Sequence, residues 1–189
     1  MKIKQVGDPI LRTPSQIISQ ADFESGIVAS SIQKMHAILN GIKSISDENG
    51  NALSAPQVGV SIRLIVLRID GEFINIINPR IIERSESTFM FEEECFSFYN
   101  IRAKVKRYQS VVVSFLDEKQ LEQRLKMEGE FSGLIQHEID HLNGIFFLDK
   151  VEDKSTLVSI DYLLRDEPER LKVVKSLCDY MASDYMASD

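Results

Sequence analysis

The sequence predicts an α+β fold: antiparallel β-sheets packed around a central helix, with an N-terminal helix before them and a C-terminal helix after. Three observations carry this. Apolar residues recur at steps of three and four over residues 22–42, the pattern of an amphipathic helix. Residues 63–127 hold β-branched or alternating runs separated by short turn signals, the spacing of antiparallel hairpins. Residues 130–143 are apolar nearly all round, which places a helix inside the molecule.

Taken in order, Gly7-Asp8-Pro9 and Thr13-Pro14-Ser15 make the first twenty residues an extended, turn-containing lead-in. Val28, Ile32, Met35, Leu39 and Ile42 form the stripe of the first helix, which Gly41 is expected to stop. His36 lies beside that stripe and is assigned no role. Asp47-Glu48-Asn49-Gly50-Asn51 is a turn cluster, followed by the small residues Ala52 to Val60, which permit close approach of a ligand or another backbone.

Arg63 to Ile69 reads as a strand, Asp70-Gly71 as a hairpin turn, and Phe73 to Asn78 as the return strand, ending before Pro79. Phe89 to Phe98 alternates poorly and contains an acidic triplet before Cys95. In residues 101–107, Ile101, Ala103 and Val105 alternate with Arg102, Lys104 and Lys106, marking a half-exposed strand. Ser110 to Leu116 is a buried strand, and Gln120 to Met127 returns from the Asp117-Glu118-Lys119 turn. Phe131, Leu134, Ile135, Ile139 and Leu142 cover the central helix, and Gly144 stops it. Residues 161–177 are expected to be helical with a break near Pro168.

A chain of 189 residues can bury a substantial core in one domain. That domain is expected over 1–178, with 179–189 a disordered tail or cloning scar, because Tyr180-Met181-Ala182-Ser183-Asp184 is repeated at once as Tyr185 to Asp189. A net charge of −7 argues against direct DNA binding by bulk electrostatics. The sequence shows no long apolar run and no apolar signal segment after Met1, so no membrane partner is expected. Two cysteines, Cys95 and Cys178, are too few for a disulfide framework and fit a reducing compartment; a cytoplasmic location is expected.

The chemistry concentrates in Gln136-His137-Glu138-Ile139-Asp140-His141. Four residues apart on a helix, His137 and His141 present two imidazoles on one face, and Glu138 lies beside them without being needed as a ligand. A catalytic metal site needs a third protein ligand and an open position. Downstream, Phe147 stands where a third histidine falls in one known spacing, and Glu167 and Glu169 sit in a charged segment beside Pro168. The better candidate is upstream, Cys95, flanked by Glu93, Glu94, Phe96 and Ser97.

These residues together resemble the peptide deformylases. Gly50-Asn51-Ala52-Leu53-Ser54-Ala55-Pro56-Gln57 is similar to that family's G-x-G-x-A-A-x-Q motif. Glu93-Glu94-Cys95-Phe96-Ser97 is similar to its E-G-C-x-S, and Gln136 to Leu142 to its Q-H-E-x-D-H-L, all in the family's order. The resemblance implies that Cys95, His137 and His141 hold one divalent metal, ferrous iron in many members and zinc, nickel or cobalt in others. It implies Glu138 as general base, and Gln57 with the backbone N–H of Phe96 as oxyanion donors. Gly50, Asn51, Ala52, Glu94, Phe96 and Leu134 are the implied substrate-binding residues, and N-formylmethionyl nascent peptides the implied partner. Arg102 is expected to support Glu93 or the metal-site loop.

Members of the family can dock on the ribosome through a basic C-terminal extension. Here residues 164–189 carry Arg165, Arg170, Lys172 and Lys175 against six acidic residues, which does not favour such docking. Glu94 replaces the glycine of the second motif; it is expected to strain or crowd the site if that position needs positive φ or close substrate approach, and its charge beside the thiolate to make the metal less electrophilic. Two other readings stand beside a deformylase: a metal-binding relative with weak or altered N-acyl hydrolase activity because of Glu94, and a zinc endopeptidase using Glu167.

Overall fold

The computed structural model describes residues 2–184. A short helix α1 (Gln20–Glu24) is capped by Ser19 and Asp22, each accepting from the other's backbone N–H. Gly26, at φ 78°, then turns the chain into α2 (Ile27–Ile45). The expected stop at Gly41 is not observed. A side chain there would meet Tyr180 Oη at 1.9 Å, so this glycine serves a close helix–helix approach in mid-helix.

Five strands form one antiparallel sheet in the order β1 (Ala52–Ser54), β2 (Leu64–Ile69), β3 (Glu72–Arg84), β6 (Ser110–Leu116), β7 (Glu122–Glu128). Asp70 and Gly71, at φ 51° and 86°, make the expected tight hairpin between β2 and β3. Pro79 does not end β3. The register slips between Ile77 and Arg80, and Asn78 adopts φ 53°, so the proline sits in a bulge where no ladder N–H is required. A second sheet pairs β4 (Thr88–Cys95), β5 (Phe98–Tyr108) and β8 (Val158–Ser159).

Alternation sends the five-stranded sheet's side chains to two different cores. Leu53, Leu64, Val66 and Ile77 face α2 (Ile32, Met35, Leu39, Ile42), together with Leu177 and Met181 of the C-terminal helix. Ala52, Ile65, Leu67, Ile76, Val111 and Val113 face Ile135, Ile139 and Leu142 of α3 (Gly129–Leu142). Helix α3 is thus the filling between this sheet and β4–β5, which explains its apolar circumference. Gly144, at φ 71°, turns the chain just beyond α3, as expected.

The break near Pro168 separates α4 (Ile160–Leu163) from α5 (Pro168–Ala182), with the proline in the first turn of α5. No break falls at residue 178. Helix α5 continues to Ala182, Met181 is buried, and its carbonyl accepts from the N–H groups of Lys2 and Ile3 at 3.1 and 3.2 Å. Apolar burial and these bonds hold residues 179–182 in the fold; residues 185–189 of the expected tail lie outside the described residues. Among the described residues no helix is long and apolar enough to cross a membrane.

Candidate metal centre

Helix α3 presents His137 and His141 one turn apart, with their Nε2 atoms 3.2 Å from each other. Cys95 ends β4 and brings its Sγ to 3.2 Å from His141 Nε2. All three ligand atoms lie within 4.8 Å of one another, and all three residues are buried. Tetrahedral coordination with metal–nitrogen bonds of about 2.0–2.1 Å and metal–sulfur of about 2.3 Å puts N···N near 3.3 Å and N···S near 3.6 Å. The donors therefore converge at separations one ion can bridge, and thiolate with two imidazoles suits a divalent transition metal. Glu167 and Glu169 are exposed and pair instead with Arg170 and Lys172 at 2.9 and 2.8 Å. Neither belongs to the cluster, so Cys95 is the third ligand the fold offers.

A buried ionic chain orients the ligands. His137 Nδ1 meets Glu93 Oε2 at 2.7 Å, which turns its Nε2 toward the cluster. Glu93 also accepts from Arg107 Nε at 2.6 Å and Nη2 at 3.0 Å, and Arg107 Nη1 donates to Asp140 at 2.5 Å. Burial pushes Glu93 upward, but its hydrogen bonds from His137 and Arg107 win and hold it below the usual carboxylate range. Burial likewise works against charge on His137. Hydrogen bonds to Cys95 and Glu93, with the charges of Cys95 and Glu138, outweigh it and raise His137 well above the ordinary histidine range. Burial and the positive neighbours His137 and Arg107 hold His141 well below that range.

Glu138 is buried, and its Oε2 has no hydrogen-bond partner. Burial above all, with the nearby Glu93 charge, pushes its pKa up to about 7 against the lowering effects of His137 and Ser54. A carboxyl at that value can both take and return a proton near neutrality.

Gln57 belongs to the 3-10 turn Ala55–Val58 after β1. Its Oε1 accepts from both the N–H and the hydroxyl of Ser54 at 3.0 Å, so its NH2 faces Cys95 Sγ at 3.7 Å and Ser97 Oγ at 3.4 Å. The N-terminal lead-in braces both halves of the site. Lys4 N donates to Gln57 O at 2.7 Å, Val6 N to Ser97 O at 3.1 Å, and Gln5 Nε2 to Phe96 O at 2.9 Å.

A cavity of about 310 Å³ opens beside the cluster, lined by Gln57, Cys95, His137 and Glu138. Gly50, Asn51, Ala52, Glu94, Phe96 and Leu134 all line it too. Two expectations change. Glu94 is not at positive φ; it lies in a strand, half-exposed, and pairs with Arg102. Of the two roles expected for Arg102, support of Glu93 is not observed, because Arg107 holds Glu93; Arg102 pairs with Glu94, next to Cys95 in the metal-site segment, with Glu92 at 3.6 Å. Arg107 and Asp140 were not expected at the site. Their signal was parity: Arg107 continues the inward series Ala103, Val105 along β5, where a charge must find a buried partner.

These features define a mononuclear metallohydrolase centre: three convergent ligands, a buried carboxylate free of ligation, amide donors beside the sulfur, and a substrate-sized cavity. The sequence model of the polypeptide deformylase family matches residues 1–156. The peptide deformylase of Halothermothrix orenii is 37% identical over 153 residues, covering 80% of this chain and 93% of that protein. The crystal structure of a peptide deformylase from Synechococcus elongatus in complex with actinonin superposes with a TM-score of 0.71 at 32% identity, covering 88% of this chain and 85% of that one. Peptide deformylase from Thermotoga maritima gives 0.69 at 30% identity, covering 80% and 97%. The chain belongs to the polypeptide deformylase family of metal-dependent hydrolases.

Proposed function

We infer that this chain removes the N-formyl group from the amino-terminal methionine of newly made polypeptides, releasing formate, and that Cys95, His137, His141, Glu138, Gln57 and Phe96 carry the reaction. The single observation behind this assignment is the buried Glu138, outside the ligand cluster yet beside its three convergent donors. A divalent ion held by Cys95, His137 and His141 supplies Lewis acidity toward the formyl oxygen and toward water. Glu138 takes the proton of the attacking water and delivers it to the departing amine, so that formamide and water become formate and a free amino terminus. The Gln57 amide, whose orientation Ser54 fixes, and the Phe96 backbone N–H donate to the oxygen on which negative charge develops. Glu93 holds the His137 ring, and Arg107 holds Glu93.

The resident ion we propose is ferrous iron, with zinc, nickel and cobalt suited to the same donor set. Gly50, Asn51, Ala52, Glu94, Phe96 and Leu134 are assigned to the peptide. The enzyme acts in the cytoplasm, where reducing conditions keep the Cys95 thiol available. Residues 164–189, with Arg165, Arg170, Lys172 and Lys175 against six acidic residues, give no electrostatic support to ribosome contact. The weak-hydrolase alternative leaned on Glu94; its strained-backbone support is gone, because Glu94 has ordinary strand geometry.

Formate release from formyl-Met-Ala-Ser, by protein loaded anaerobically with ferrous iron, nickel or zinc in turn, tests this reading. Turnover with at least one metal is expected. The Cys95→Ala protein is expected to lose both metal and turnover, whereas an endopeptidase ligated by Glu167 keeps its metal after that change.

A further inference from the structure

The cavity beside the metal ligands has a wall that none of the three motifs supplies. Val174, Leu177, Cys178 and Met181 line it, from a helix that begins after the family-matched segment ends, and Ile160 of α4 joins them. Their spacing of three, four and seven puts all four on one face of α5. Leu177 and Met181 are buried against α2, but Val174 and Cys178 are only half-buried. The same cavity holds Phe96 and Tyr99, so an apolar patch continues from the α5 face toward the reacting atoms.

This wall is fixed in place. Tyr180 packs on Gly41 of α2, and the Met181 carbonyl accepts from the N–H groups of Lys2 and Ile3. Of the carboxylates that border the cavity, Glu138 stands at the metal donors and Glu93 is held by Arg107, while the three toward the α5 side are paired: Glu94 with Arg102, Glu92 with Arg102 and Lys104 at 3.6 and 3.7 Å, and Glu48 with Arg170 at 3.7 Å. A cationic guest gains little from paired charges, whereas an apolar guest covers apolar surface that water otherwise wets. The unbranched methionine side chain alone does not fill 310 Å³ bounded by this many walls.

We propose that the Val174–Cys178 face of α5 is a substrate subsite that takes an apolar side chain from a residue downstream of the formyl-methionine, and so sets preference among nascent chains. This rests on the deformylase reading above. Because the wall belongs to α5, the preference is a property of the C-terminal helix and separable from the metal centre.

The experiment measures kcat/KM of the metal-loaded full chain on formyl-Met-X-Ala and formyl-Met-Ala-X, with X as Gly, Leu, Phe or Asp. The wild type is expected to favour Leu or Phe over Gly and Asp by about tenfold at one of the two positions, which is what a partly buried side chain supplies. Val174→Asp is expected to erase that ratio, through KM rather than kcat. Val174→Ala, which introduces no charge into the fold, is expected to reduce it severalfold. Lys175→Ala, on the exposed side of the same helix, is expected to keep it. Equal rates for every X in the wild type, or an unchanged ratio in both Val174 variants, overturns the subsite. Formate release from none of the peptides overturns the deformylase reading itself, and the subsite with it.

Discussion

Two arginine–carboxylate clusters sit on the β4–β5 hairpin, built from neighbouring residues yet living under opposite physical conditions. Glu92, Glu93 and Glu94 are consecutive, and strand alternation sends the middle one inward and its neighbours out. Glu93 meets Arg107, with side chains 1% and 3% exposed. Glu94 meets Arg102 at 42% and 35%. The outer pair is solvated and screened, and exchanges water contacts for contacts of similar worth. The inner cluster has no water to fall back on, so each member keeps the others charged and the whole holds His137 in position. Identical residue types at adjacent positions therefore do different work, and burial alone decides which.

The largest test of that contrast is Arg107→Ala. It leaves Glu93 buried without its cation and Asp140 with Lys150, at 3.4 Å, as its remaining cation among the described residues, and is expected to lower unfolding free energy by about 3–5 kcal/mol in urea titration. A loss below about 1 kcal/mol places the inner cluster in the same class as the outer one.

Next in size is a pH effect at Glu138, whose pKa rises on folding from the ordinary 4.5 to about 7. Its contribution to stability is fully present below pH 4.5 and is lost as pH climbs through 7. In chelator-stripped protein, the wild type is expected to fall by about 3 kcal/mol relative to Glu138→Gln between those limits. Glu93, whose pKa is lowered, contributes with the opposite sign and is common to both proteins, so the difference carries Glu138 together with its charge coupling to His137. Parallel pH–stability curves for the two proteins contradict the assigned shift.

Glu93→Gln keeps the shape but removes the charge behind His137. Metal affinity measured by competition with a chelator is expected to weaken by about 10–100-fold. Glu94→Gln, its outward counterpart, is expected to change stability by less than about 1 kcal/mol and leave metal affinity alone. If the two glutamines weaken metal binding equally, the distinction between the faces of β4 fails.

Much of this was legible in the chain. Local periodicity marked α2 and α3, Asp70-Gly71 marked a hairpin, and Gly144 marked the end of the central helix, because each signal is written within a few residues. The ligands were legible because His137 and His141 share a helix turn and the motif around Cys95 is distinctive. What was not legible depends on partners far along the chain. Gly41 looked like a helix stop because Tyr180, which needs the space, lies 139 positions away. Pro79 looked like a strand end because the bulge that accommodates it is set by pairing with β6. The resemblance offered Arg102 to Glu93 or to the metal-site loop, and strand parity decides between them by turning Arg102 outward to Glu94 and Arg107 inward to Glu93. The α5 wall carried no motif, and only packing against α2 brings it to the cavity.

The most direct test of the account compares wild type with Glu138→Ala, each carrying one equivalent of ferrous iron, on formyl-Met-Ala-Ser. The account predicts that the variant binds metal normally while formate release falls by at least about 10²–10⁴-fold. Undiminished turnover in the metal-loaded variant contradicts the role given to Glu138, and with it the division of labour proposed for the site.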